Sequence, residues 1–145
     1  MIIGITCGSF DLCHAGHILM FKEAKNYCDK LIVMLQIDPS ITPAEYRGKK
    51  KNRPIMSLHE RAIILNGIKY IDEIIVYTDE YDLFHKLKEI PHNVRILGED
   101  WKDKYATGQE FAKKIVYNER KHNFSTTELR QRIYEAENLR HNANN

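Results

Sequence analysis

Strand-like and helix-like stretches alternate along the whole chain, and this alternation restricts the fold more than any single motif does. Apolar, β-rich runs recur at 1–7, 31–36, 74–77, 94–97 and 115–117, and segments with apolar residues at helical spacing lie between them at about 16–28, 57–69, 80–89 and 107–113. The rhythm predicts an α/β domain with a mostly parallel five-stranded sheet and helices on both faces. In open sheets of this type a ligand sits beyond the carboxyl ends of the strands, an edge that would receive Cys7-Gly8, Gln36-Ile37, Thr78 and Gly98. A last helix is predicted from Ser125 through E-L-R-Q-R-I-Y-E-A-E, with Glu128 at capping-box spacing from Ser125. A length of 145 residues suits one domain, expected over 1–139, with a frayed polar tail at 140–145.

Charge and cysteine content narrow the class. There are 22 basic and 20 acidic residues, a net charge of +2, so no global signature of nucleic-acid or membrane binding exists and any anion site must come from local clustering. No long apolar span predicts membrane insertion. Cys7, Cys13 and Cys28 cannot all pair within the chain, and with no recognisable signal peptide the expected compartment is a reducing cytoplasm.

The densest chemistry lies in C-G-S-F-D-L-C-H-A-G-H, residues 7–17. A turn beginning at Gly8-Ser9 follows the first strand and delivers His14 and His17 to a helix start, whose N–H groups and partial positive charge attract anions. Two imidazoles three residues apart share a face and add donors able to become cationic, so the expected guest is a polyphosphate. Gly16 between them leaves room for close backbone approach. Asp11 is expected to hold the turn through local side-chain to backbone bonds. As isolated residues the histidines also fit ordinary roles, with His14 capping and His17 half buried. Zinc is disfavoured, because Cys7 and Cys13 lack a C-x-x-C knuckle, and no protein-held metal is expected.

One long irregular segment runs from Asp38 to Met56 and carries the basic run Arg47, Lys49, Lys50, Lys51 and Arg53. Loops of this length inside compact domains are often functional, and this one is expected to cover a triphosphate, with Lys50 or Lys51 supplying a point charge.

H-x-G-H after an [ST]-F-D turn resembles the nucleotidyltransferase superfamily, and the other motifs resemble its cytidylyltransferase family, most closely the glycerol-3-phosphate cytidylyltransferases. The resemblance spans about residues 2–135 and includes H-E-R at 59–61, K-Y-I-D-E at 69–73, L-G-E-D-W at 97–101 and R-x-x-x-x-S-T-T from Arg120 to Thr127. It implies a Rossmann-like fold and transfer of CMP from CTP to a small phosphorylated alcohol. It further implies catalytic roles for His14, His17 and Arg120, and a nucleotide site that includes Gly8, Ser9, Phe10, Gly98 and Asp100. Ser125, Thr126 and Thr127 would hold phosphate oxygens at the start of the last helix, and Arg61, Lys69 and Trp101 would border the acceptor. Lys69 departs from the arginine usual at its position, and a lysine lacks the bidentate fork. Asp72 is expected to tether structure. Mg²⁺ would arrive on the triphosphate, and a homodimer is expected by the same resemblance. Two other functions remain open: an adenylyltransferase acting on a sugar phosphate or cofactor precursor, and a nucleotide-binding regulatory module without turnover.

Overall fold

The computed structural model describes residues 1–43, 45 and 50–144. Five strands, β1 (Ile3–Gly8), β2 (Lys30–Gln36), β3 (Glu73–Tyr77), β4 (Val94–Gly98) and β5 (Lys114–Asn118), form one sheet in the order β3-β2-β1-β4-β5. Every pairing is parallel. The helices are α1 (Ala15–Ala24), α2 (Leu58–Asn66), α3 (Glu80–Glu89) and α4 (Thr126–Ala143). The fold is thus the α/β arrangement expected from the alternation, and it is Rossmann-like, as the resemblance implies.

Side-chain alternation divides the core into two layers. Val33, Leu35, Val94 and Ile96 pack with Phe21 and Ala24 of α1 and Leu65 of α2. Ile5, Ile32, Met34 and Tyr77 face the other way and pack with Leu83 and Leu87 of α3. β2 is buried on both sides, which is why it reads as an unbroken apolar run. Local caps fix where helices begin: Ser57 Oγ accepts from Glu60 N at 3.1 Å while Ser57 N donates to Glu60 Oε1 at 3.1 Å, and Asp79 Oδ1 accepts from Asp82 N at 2.8 Å.

Three sequence expectations change. The helix expected over 107–113 is a turn with one 3-10 segment at Gln109–Phe111. Gly108, at φ +73° against Leu87, takes the chain into left-handed backbone, and an added Cβ would meet Leu87 Cδ1 at 2.7 Å. The first two helices are also shorter than expected, ending at Ala24 and Asn66, the latter capped by Gly67. At the other end α4 continues to Ala143, well into the tail expected to fray. Arg140 and His141 in its last turn suit the helix dipole, and Arg140 pairs with Glu137 at 2.9 Å.

The sheet also positions the site. Chain order reverses direction between β1 and β4, the place where open α/β sheets leave a crevice. β1 and β2 stay in register over Ile3–Gly8, whereas β1 and β4 pair only at Gly4–Val94 and Ile5–Arg95. Beyond Ile5 the two strands splay apart and open a cleft between Thr6–Gly8 and Ile96–Gly98.

Candidate active site

The turn leaving β1 is held in an unfavourable backbone. Phe10 and Leu12 both have φ of +50°, a conformation that costs a non-glycine residue on the order of 1–3 kcal/mol unless its surroundings enforce it. The surroundings do so. Asp11 accepts from Ile55 N at 2.8 Å and Met56 N at 2.9 Å, and Arg61 Nη1 donates to Ser9 O at 2.9 Å. Phe10 packs on Phe21 with ring centroids 5.2 Å apart and meets His17 edge-on at 5.5 Å. Asp11 therefore does not make the local bonds expected of it, but clamps the far end of the long loop onto the turn.

His14 and His17 form a reciprocal cap at the start of α1. His14 Nδ1 accepts from Gly16 N at 3.0 Å, and His17 Nδ1 accepts from His14 N at 3.2 Å. With both Nδ1 atoms accepting, each neutral ring carries its proton on Nε2. The rings lie 4.0 Å apart between centroids. His14 Nε2 lies 3.2 Å from Thr126 Oγ1, so it donates to that hydroxyl and joins the start of α1 to the start of α4. Burial, and then the neighbouring His14, lowers the His17 pKa to about 4. The His14 pKa is lowered by burial, then by His122 and Arg120. The pair is accordingly neutral near pH 7 before an anion arrives, rather than cationic from the outset. Gly16 is needed for the rings rather than for backbone approach: a Cβ there would stand 2.8 Å from His122 Cε1 and 2.9 Å from His14 Cε1.

Two cavities flank this pair and share His17, Met20, Gly98, Asp100 and Thr126. The larger, about 980 Å³, lies in the splay between β1 and β4 and reaches Trp101, Lys51 and Arg130. The smaller, about 430 Å³, runs between α1 and the segment 118–126, with Leu19, Met20 and Phe124 in its wall and Arg120 and His122 at its rim. Arg120 Nη2 donates to Phe124 O at 2.8 Å, fixing the approach to α4. Ser125 Oγ accepts from Glu128 N at 3.0 Å, whereas Glu128 pairs with Arg132 at 3.3 Å instead of closing the expected capping box.

Of the residues singled out in the sequence, His14, His17, Gly8, Ser9, Phe10, Gly16, Gly98, Asp100, Trp101, Arg120 and the Ser125-Thr126-Thr127 run converge on these two cavities. Lys51 lines the larger one, while Lys50 is exposed outside both. Arg47 and Lys49 lie outside the described residues. Arg61 is turned inward, 2% exposed, and its guanidinium donates to Met56 O, Ser9 O, Gln36 O and Ile37 O at 2.6–3.1 Å. Those carbonyls use its fork to join the ends of β1 and β2 to α2, and Arg61 lines neither cavity. Lys69 sits four residues before β3, at the opposite edge of the sheet, with its ammonium 5.2 Å from the Tyr70 ring centroid. Asp72 is a tether: it takes Lys25 Nζ and Leu31 N, each at 2.8 Å.

Three site residues were not singled out. His122 falls inside the R-x-x-x-x-S-T-T spacing, where only the fixed positions draw notice. Its ring stacks on Phe124 at 5.1 Å. Arg95 interrupts the buried strand V-R-I-L and Asn118 closes V-Y-N, and a polar residue within or ending an apolar strand is the signal that would have found them. Asn118 is 6% exposed, lines the smaller cavity, and neither atom of its amide has a partner.

Comparison with known proteins agrees with this geometry. The cytidylyltransferase-like family model matches residues 5–132. The glycerol-3-phosphate cytidylyltransferase of Bacillus subtilis (strain 168) is 33% identical over 135 residues, covering 89% of this chain and 95% of its own. The bifunctional protein HldE of Helicobacter hepaticus (strain ATCC 51449 / 3B1) is 33% identical over 139 residues, 96% of this chain, though the match spans only 28% of that longer protein. A solved lipopolysaccharide core biosynthesis protein from Thermoplasma volcanium GSS1 superposes with a TM-score of 0.67 at 28% identity, over 84% of this chain and 99% of its own. The splayed sheet, the paired imidazoles and the relatives agree: the chain belongs to the cytidylyltransferase-like family.

Proposed function

We propose that the enzyme transfers CMP from CTP to a small phosphorylated alcohol, of which sn-glycerol 3-phosphate is the simplest, and releases pyrophosphate. The observation that carries this reading is the His14–His17 pair, with Nε2 protons directed away from the backbone, set between two cavities of different character. The smaller, with Phe124, Leu19 and Met20, suits a nucleoside, and the larger, more polar one suits the acceptor. An acceptor phosphate oxygen attacks the α-phosphorus, the bond from that phosphorus to the β-bridging oxygen breaks, and pyrophosphate leaves with its electrons. The nucleophile is already an anion, so the protein's task is to position and to stabilise growing charge.

In this scheme His17 donates its Nε2 proton to a phosphoryl oxygen, and His14, whose Nε2 proton is held by Thr126 Oγ1, acts through that hydroxyl. Thr126, accepting from His14, directs its own hydroxyl proton onward, and the first amides of α4 with Arg120 hold the leaving phosphates. Lys51 and Arg130 add positive charge along the larger cavity. Mg²⁺ enters with the triphosphate as part of the substrate; among the described residues no three His, Cys, Asp or Glu side chains gather into a metal-holding group. No helix among the described residues is long and apolar enough to cross a membrane.

Calorimetric titration with the magnesium complexes of CTP, ATP, GTP and UTP tests the nucleotide assignment. The reading expects selective CTP binding that weakens in Arg120→Lys, which keeps the charge and loses the fork. Selective ATP binding would favour adenylyl transfer, and tight CTP binding without product would favour a regulatory module.

A further inference from the structure

We infer that Arg95 anchors a second anionic group, a carboxylate, at the end of the acceptor remote from its reacting phosphate. The inference rests on the acceptor occupying the larger cavity, and it narrows phosphorylated alcohols to phosphorylated hydroxy acids. Arg95 is half of the last pair between β1 and β4, so it stands at the base of the fork from which the cavity opens. Gly98, at the mouth, is three residues further along β4, about 10 Å at the usual rise of a strand. Its neighbours Val94 and Ile96 face α1 and α2, so Arg95 points to the α3 side, away from the layer that holds Phe10 and Phe21.

Arg95 is 3% exposed, Nη1 donates to Thr107 O at 2.7 Å, and Nε is buried without a hydrogen-bond partner. Among the described residues no carboxylate forms an ion pair with it, and Glu80, in the same cavity, accepts from Thr107 Oγ1 at 2.6 Å. A guanidinium does not shed its proton, and a buried cation without a partner is costly, so a cavity wall built this way is completed by an anion from outside. The planar fork matches the two oxygens of a carboxylate. A single negative charge also suits a place with Glu80 nearby better than a second phosphate would.

Three matched pairs of probes test this without turnover: glycerol 3-phosphate against 3-phosphoglycerate, erythritol 4-phosphate against 4-phosphoerythronate, and glucitol 6-phosphate against 6-phosphogluconate. Affinities are measured by calorimetry on the full chain, on Arg95→Gln and on Arg95→Lys, with circular dichroism as the check on folding. In the wild-type chain at least one carboxylate is expected to bind about tenfold or more tighter than its neutral match, as a hydrogen-bonded ion contact requires. That ratio falls to about one in Arg95→Gln and is partly kept in Arg95→Lys, because only the first loses the charge. CTP affinity stays unchanged in both variants. A wild-type ratio near one for all three pairs overturns the inference, and this holds even if a variant fails to fold. So does a ratio that survives Arg95→Gln, or a loss of CTP affinity in a folded variant. Pyrophosphate release from CTP with glycerol 3-phosphate, but no carboxylate preference, sinks the inference alone; carboxylate-selective binding with no release from any nucleotide sinks only the proposed reaction.

Discussion

At the scale of single residues, the account places most of its weight on two imidazoles whose protons are fixed by backbone donors. His14→Ala and His17→Ala are each expected to lose about 10²- to 10³-fold in turnover, judged from the removal of comparable donors, with little change in circular dichroism. Near-full activity in either variant contradicts the assignment. His17 also makes a prediction about stability. Its folded pKa of about 4 lies below the 6.5 of the unfolded chain, so between these values the unfolded state binds the extra proton. Stability from this group is complete above about pH 6.5, declines as pH falls toward 4 and then levels, for a total on the order of 3 kcal/mol. Urea titrations from pH 7.5 to 4 read this directly, and His17→Gln should flatten the decline; an unchanged slope counts against it. The sequence made these two histidines legible because a turn and a helix start framed them. Arg95 and Asn118 carried only the signal of a polar residue in an apolar strand, and their meaning depends on where the fold opens its cavities: Arg95 at the parting of β1 and β4, Asn118 between α1 and 118–126.

At the scale of elements, Arg61 shows how a residue matching a site motif can serve the frame instead. Its position in S-L-H-E-R-A-I-I-L gave the helix and even its cap, but not the side on which the guanidinium would lie. That side is set by the carbonyls of Ser9, Gln36 and Ile37, brought together by β1 and β2 only in the folded sheet. Arg61→Met strands these buried acceptors and is expected to cost at least about 3 kcal/mol. The measurement is a chemical denaturation midpoint, and a surface-like effect would return Arg61 to the acceptor site. The strands were read almost to their ends, since β-rich apolar runs between turns carry strong signals. The segment over 107–113 was misread because its helical spacing of apolar residues came from a turn packed on Leu87, a tertiary contact that Gly108 makes possible.

At the scale of the molecule, α4 is unusual in burying no residue along its 18 positions while exposing Ile133, Tyr134 and Leu139. A helix that fully buries none of its residues is marginal in water, so the expected homodimer should cover its exposed apolar side chains. Sedimentation equilibrium should give twice the 17.1 kDa chain mass, and Leu139→Glu with Tyr134→Glu should restore the single-chain value; a monomeric wild-type chain contradicts the dimer. The fold class was legible as a whole because alternation is a property of the entire chain, whereas the two cavities arise from sheet splay and from the packing of 118–126 beside α1, which no local pattern encodes. The central claim is the reaction itself. Its most direct test is pyrophosphate release with Mg²⁺ and a panel of small phosphorylated alcohols beginning with glycerol 3-phosphate, run in parallel with CTP, ATP, GTP and UTP, with the activated product identified by mass. The account predicts release with CTP and a product containing CMP joined to the acceptor phosphate. Release with ATP alone, or selective CTP binding that yields no product with any acceptor, would contradict it.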